Sequence, residues 1–405
     1  MRYDKSLAML ERGLKVIPLA TQTFSKGYKY FPKGAWPVYL DHGIGAHVWD
    51  VDGNGYIDFI CSLGPVTLGY HYPAVDKAIK RQLNKGIIFS LPSPLEVELA
   101  EKLTTIIPCA EMVRFLKTGS ESTQAAIRIA RYYTGKNHIA YFGYHGWHEF
   151  YAVISERPGG IPKEYGQYMH QFEYNNIDSL EKILEQYQCA AVIMEPQVIE
   201  PPKPNFLFQV RELAHKYGAL LIFDEVVTGF RLHSGGAQAY YNTTPDLCTL
   251  GKGMANGMPI AAVAGKKKYM DSVEDIFVSS TFGGECLSLA ASLATINEME
   301  RTGSIGHTRA MAHRMIKGLN DIGIQTIGNF RPMIASPLND RDKSVFLQLL
   351  AEHGVLIHSG LVMNFSYSHT MDIVDATLNI IEDCWKKIST TEQKGDITYA
   401  AFKRV

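Results

Sequence analysis

The 405-residue sequence predicts an α/β protein: a large domain with a mostly parallel central sheet sandwiched by helices, plus a smaller α+β domain. Three observations lead there. Short apolar runs ("HIAYF", "CAAVIM", "ALLIF", "LCTL") alternate with longer stretches of helical period. The runs are apolar at nearly every position, as strands covered on both faces should be. Hydroxyls, acids and a lysine follow the runs directly, where open α/β sheets bind their ligands.

Taken in order, "MRYDKSLAMLERGLKVIPL" mixes charged and apolar positions as an amphipathic helix does, and does not read as a secretion signal. "HVWDVDGNGYIDF" alternates apolar and polar residues about Asp52–Gly53, a hairpin pattern. "VRFLKT" (113–118) is a strand leading into the helix "ESTQAAIRIARYY", whose Ala126, Ile129, Ala130 and Tyr133 fall on one face and which Gly135 closes. "QVRELAHKYG" repeats the pattern through Val210, Leu213, Ala214 and Tyr217, just before "ALLIF". Beyond residue 295, longer helices flank short strands. The expected organisation is an N-terminal arm over 1–64 contributing to the small domain, a large cofactor-binding domain over 65–295 and a small domain over 296–405.

Composition narrows the function. Apolar residues make up 46% and charged residues 20%, an ordinary globular balance, and a net charge of −1 offers no footprint for nucleic acid or anionic lipid. The run Lys266–Lys267–Lys268 is short enough to be a solvated turn. No stretch reaches the ~18 to 20 apolar residues of a membrane span. The six cysteines lie far apart without a C-x-x-C pair, several inside apolar runs, and read as reduced core residues of a cytoplasmic protein.

The residues after each run define the chemistry. Gly119–Ser120 opens a helix, so unpaired backbone N–H groups and the positive end of the dipole suit a phosphate; a plain N-cap is the simpler alternative. Tyr144 offers a flat ring nearby. His145 and His148 are three apart, but no acid or cysteine stands at a spacing that would complete a metal site. Glu195 follows "CAAVIM", and Asp224–Glu225 follow "ALLIF", at the edge of a core where a bare carboxylate is costly. Lys252 ends "LCTL" between two glycines that let a bulky ligand approach the backbone, and desolvation there would lower its amine toward nucleophilic use. A buried ion pair with Asp224 or Glu225 is the alternative for that lysine.

"LIFDEVVTGFR" and "TLGKGMANGMPIAAVAG" resemble the two signature blocks of class III aminotransferases dependent on pyridoxal 5′-phosphate, nearest the glutamate-1-semialdehyde 2,1-aminomutase branch. "GAHVWDVDGNGYIDF", "KTGSESTQAAIRIAR", "GYHGW" and "TFGGECLSLAA" extend the likeness over nearly the whole chain. The resemblance implies fold type I, with Lys252 carrying the cofactor as a Schiff base and later serving as the proton-moving base. It implies that Asp224 faces the pyridine nitrogen and that Gly119 and Ser120 take the phosphate. Tyr144 and Val226 would cover the two ring faces, and Glu195 would line the pocket. Thr281 would reach the phosphate of the neighbouring subunit in a homodimer with shared active sites. Glu225 and Arg231 would form a structural pair.

Departures from the aminomutase branch bear on substrate. Its carboxylate-gripping arginine in the N-terminal arm has no counterpart in "TQTFSKGYKYFP", where Lys26 or Tyr28 stands near that position, and neither reproduces a bidentate fork. Leu63 replaces a tryptophan usual in the branch. The expected activity is therefore transfer of an amino group from a small amino acid donor to an aldehyde or keto acceptor, such as a nucleotide-linked sugar for cell-surface polysaccharide. The aminomutase isomerisation is the alternative.

Overall fold

The apolar runs pair into one seven-stranded sheet within the unit Pro73–Ile305. In the computed structural model, which describes residues 2–397, these strands are β1 (Met112–Leu116), β2 (His138–Phe142), β3 (Met169–Gln171), β4 (Cys189–Met194), β5 (Leu220–Asp224), β6 (Leu247–Leu250) and β7 (Ala261–Gly265). Their order across the sheet is β1–β7–β6–β5–β4–β2–β3. Strands β2 to β6 run parallel, and β7 alone runs against both of its neighbours, β1 and β6. Every residue of β4, β5, β6 and β7 is buried, which accounts for their largely apolar composition, with Asp224 and Thr249 the polar exceptions.

Helix α1 (Gly119–Thr134) follows β1. Its start is fixed by a capping box: Glu121 N–H donates to Thr118 Oγ1 (3.2 Å), and Glu121 Oε2 accepts from Thr118 N–H (2.8 Å). Gly135 ends it at φ +67°, which an L side chain resists. Ala126, Ile129 and Ala130 are fully buried in a cluster with Ile139, Ile193, Ile222 and Val263, each large aliphatic contributing about 1.5–3 kcal/mol. Tyr133, expected on that face, is instead 46% exposed at the last turn, edge-on to Tyr269. The helix Phe206–Lys216 leads back into β5 as its periodicity predicts, with Val210 and Ala214 fully buried.

The second unit joins the described residues up to Tyr72 to those from Gly306 to 397. The sequence boundaries at 64 and 295 thus stand beside structural ones at 72 and 305; the expected limit at 405 lies outside the described residues. Strands Leu40–Ile44, His47–Asp50 and Gly55–Asp58 form an antiparallel meander, extended by Val355–Leu356 in parallel. The hairpin turn at Asp52–Gly53 puts Gly53 at φ +90°, and Asp50 closes it by accepting from the N–H groups of Asp52 (3.0 Å) and Asn54 (2.8 Å). Phe59, Phe346, Leu350, Phe365 and Ile381 form its core. All six cysteines are buried and unbridged. Among the described residues, no helix is long and apolar enough to cross a membrane.

Candidate active site

The carboxyl ends of β1, β2, β4, β5 and β6 deliver the singled-out residues to one rim of the sheet. Asp224 is the last residue of β5, in register with Thr249 of β6. Only 3% of it is exposed, and three donors meet it. Oδ1 accepts from Thr249 Oγ1 (3.0 Å) and Val226 N–H (3.1 Å), and Oδ2 lies 2.8 Å from His145 Nδ1. The other ring nitrogen, Nε2, lies 3.0 Å from the carbonyl oxygen of Phe142, which can only accept. His145 therefore donates from Nε2, and a single proton sits on the short Nδ1–Oδ2 vector. The three contacts anchor the carboxylate at the strand end.

Lys252 lies three residues beyond Thr249, at the start of the 3₁₀ turn Lys252–Ala255. Its φ is +36°, a left-handed conformation that costs a non-glycine residue about 1–2 kcal/mol. The strain fixes where the side chain leaves the backbone. Gly251 precedes it, and a Cβ added there would contact Val226 Cγ1 at 3.5 Å. Val226 thus stands between the lysine loop and α1.

The cradle at the start of α1 is close-packed. A Cβ on Gly119 would come within 2.9 and 3.0 Å of the two methyls of Val226. One on Gly146, already at φ +99°, would strike Ser120 Oγ. Ser120 Oγ also accepts from Trp147 N–H (3.3 Å). Both positions require glycine because Val226 and Ser120 leave no room for a side chain there. Glu195, 3% exposed, holds the loop above β2: its Oε2 accepts from Tyr144 N–H (2.9 Å). The Tyr144 ring is half-buried and edge-on to Tyr151 at 5.5 Å.

These residues fit pyridoxal phosphate. A helix start lined by glycines suits its phosphate, an anchored carboxylate suits its ring nitrogen, and a strained lysine between glycines suits its aldehyde. Gly119, Ser120, Tyr144, Glu195, Asp224, Val226 and Lys252 all belong to this rim of one unit. Thr281 is exposed in the turn before Gly283, whose backbone packs on Phe115; the cavity there, about 570 Å³, is lined by Glu96, Arg114 and Ser280 and by none of the rim residues. Glu225 accepts from Thr228 Oγ1 (2.9 Å), Gln238 N–H and Nε2 (3.1 Å each) and Ala237 N–H. Burial pushes its carboxyl up, and these bonds offset part of that push.

Two partners of Asp224 were not legible in the chain. His145 lies 79 residues away on a non-adjacent strand end, so no spacing betrays the pair. Thr249 left a signal, the lone hydroxyl in the apolar run "LCTL".

Comparison with known proteins follows the same lines. The family model described as aminotransferase class-III matches residues 30–384. A 3-aminobutyryl-CoA aminotransferase of Cloacimonas acidaminovorans is 43% identical over 74% of this chain and 74% of its own length. A glutamate-1-semialdehyde 2,1-aminomutase of Ignicoccus hospitalis is 34% identical over 94% and 100% of the two chains. Among solved structures, the FumI protein of Sphingopyxis sp. MTA144, in a form holding PLP, superposes with a TM-score of 0.91 at 26% identity over 98% and 99%.

Proposed function

The chain belongs to the class III aminotransferases, enzymes that use pyridoxal 5′-phosphate, and from that premise we propose that it transfers an amino group from a small amino acid to a carbonyl acceptor carried on a nucleotide. When bound, pyridoxal phosphate supplies the electron sink that lets a substrate Cα–H bond break. In this reading Lys252 Nζ would hold the cofactor's aldehyde and would serve as the base for the Cα proton. Asp224 holds the ring nitrogen's proton, with His145 and Thr249 fixing the carboxylate. Gly119 and Ser120 take the phosphate through backbone N–H groups and a hydroxyl. Tyr144 and Val226 confine the ring between them, and Glu195 keeps the Tyr144 loop in place. Thr281 completes the phosphate site of a partner subunit in a homodimer.

The observation that carries the reading is the Asp224 cluster beside Lys252. A buried acid held by three donors at the edge of a core is suited to a cationic ring. The acceptor class rests on two supports: the missing arginine of the aminomutase branch, and the 43% identity to an enzyme named for a CoA-linked substrate. A nucleotide-linked sugar shares the same handle chemistry. The aminomutase isomerisation is a second reading, supported by the 34% identity that spans nearly the whole chain.

The test is a split reaction. Donor amino acid alone should convert the cofactor to its amine form, seen in the visible spectrum, and a carrier-linked keto or aldehyde acceptor should discharge it. Turnover of glutamate-1-semialdehyde and of no separate acceptor would replace transfer by isomerisation.

A further inference from the structure

Beyond the rim described above, the same unit carries a cavity of about 540 Å³ alongside α1. Arg128, Arg131, Trp147, Glu149, Tyr165 and Tyr168 line it. Resting on the acceptor class read above, we propose that this cavity is the subsite that binds the nucleotide handle of the acceptor, its phosphates on Arg128 and Arg131 and its base on Trp147 and Tyr165.

The placement follows from helical geometry. Ser120, Gln124, Arg128 and Arg131 stand at i, i+4, i+8 and i+11 along α1, one stripe running away from the phosphate cradle. At 1.5 Å per residue, Arg128 and Arg131 lie roughly 12 and 16 Å from Ser120 along the axis. Counted from the lysine loop, two strand spacings or roughly 10 Å from Ser120, a carrier must span about 22–26 Å, the length of a nucleoside diphosphate with an extended linker between its phosphates and the reacting group. The opposite wall is covalently continuous with the cradle, since Trp147 follows Gly146 and its N–H donates to Ser120 Oγ at 3.3 Å. A molecule reacting at the lysine loop and passing the cradle at Ser120 can extend into this cavity without crossing the sheet.

The chemistry of the lining suits that occupant. Arg128 has one protein hydrogen bond, Nη1 to the Phe277 carbonyl (2.7 Å), and Arg131 one, Nε to the Asn137 carbonyl (3.0 Å). Neither is paired with a carboxylate among the described residues. Arg131 is half-buried over the Tyr168 ring at 6.0 Å, and burial holds its guanidinium below its ordinary value. Arg131, partly desolvated, and Arg128, exposed, are answered by carbonyls and retain donors for phosphate oxygens in a fork a lysine lacks. Trp147 is 72% exposed and Tyr165 44%, an unusual exposure for rings of that size and a ready platform for a purine or pyrimidine. Glu149 is the one acid in the lining, and it is exposed.

Titration of the full-length holoenzyme with ADP, and separately with UDP, tests the subsite by calorimetry and tryptophan fluorescence. The expected result is saturable binding with quenching that Trp147→Leu removes, and affinity lowered tenfold or more in Arg128→Gln and in Tyr165→Leu. ADP ahead of UDP identifies an adenine-bearing acyl carrier; UDP ahead of ADP identifies a sugar carrier. In both variants the donor half-reaction should keep its rate, while KM for the carrier-linked acceptor rises tenfold or more. Failure of both nucleotides to bind overturns the subsite, as does binding that neither substitution weakens. If the nucleotides bind as described but no carrier-linked acceptor is turned over, the subsite stands and the acceptor class falls. If such acceptors are turned over with KM unchanged in Arg128→Gln, the acceptor class stands and the subsite falls.

Discussion

Asp224→Asn separates the electrostatic role of the acid from its place in the core. An asparagine fills nearly the same volume, and its Oδ1 can still accept from Thr249 Oγ1 and Val226 N–H, now 3.0 and 3.1 Å away. Its Nδ2 can donate to His145 Nδ1 across the 2.8 Å contact, because His145 keeps its other proton on Nε2 for the Phe142 carbonyl. The substitution removes one proton and one charge without stranding a hydrogen-bonding group. The structural cost is one charge-assisted bond exchanged for a neutral one, about 1–2 kcal/mol. The catalytic cost is larger, because the ring nitrogen loses the anion that stabilises its proton. Losing one partner of a buried ion pair costs about 3–5 kcal/mol, or roughly two to three and a half decades of rate. Thermal unfolding of the apoprotein and stopped-flow spectroscopy of the donor half-reaction measure the two effects. A nearly unchanged unfolding midpoint with a rate lowered at least a hundredfold is expected. A rate within tenfold of wild type would refute the assignment of Asp224, and a collapse in stability would refute the proton inventory of the pair.

His145→Leu removes the donor instead of the charge and leaves Asp224 Oδ2 buried without its partner, so unlike Asp224→Asn it should lose about 1–3 kcal/mol of stability, measurable by urea unfolding. Lys252→Ala should abolish the borohydride-trapped cofactor adduct seen by mass spectrometry; Lys252→Gly should do the same yet exceed Lys252→Ala in apoprotein stability by about 1 kcal/mol, since φ is +36° there. Gly146→Ala places a methyl against Ser120 Oγ at φ +99° and should lower cofactor affinity at least tenfold in equilibrium dialysis. Burial holds the His369 imidazole down at about 3, so the folded state refuses a proton that the unfolded chain accepts below about 6.5. Stability from that group is present above pH 6.5 and is lost as pH falls toward 3, by up to about 3–5 kcal/mol; denaturant titrations should show a shallower decline in His369→Gln.

The strands were legible because β4, β5, β6 and β7 are buried on both faces and can tolerate few polar residues. Their ends were legible for the complementary reason that Asp224, Lys252 and Gly119 are anomalous where they stand. Strand order was not, since neighbours in the sheet are set by crossovers and by the reversal of β7, neither of which leaves a mark in local periodicity. Everything that depends on strand order was hidden with it. His145 meets Asp224 although β4 separates their strands, and Glu225 is met by backbone donors at 237 and 238, twelve or more residues on. The Arg128–Arg131 stripe was visible only as half of a helix, because its opposite wall comes from the loop beyond β2.

The reversed strand β7 has a metrical consequence. Because it lies between β1 and β6, the loop bearing Lys252 and the start of α1, the proposed stations for the cofactor's aldehyde and phosphate, are held two inter-strand spacings apart, roughly 10 Å. Hydrogen bonds on both sides of β7 keep that interval from stretching or closing. The sheet therefore works as a gauge: a compound must be long enough to engage both stations, and a pyridoxal lacking its phosphate would touch the amine and leave the other station to water.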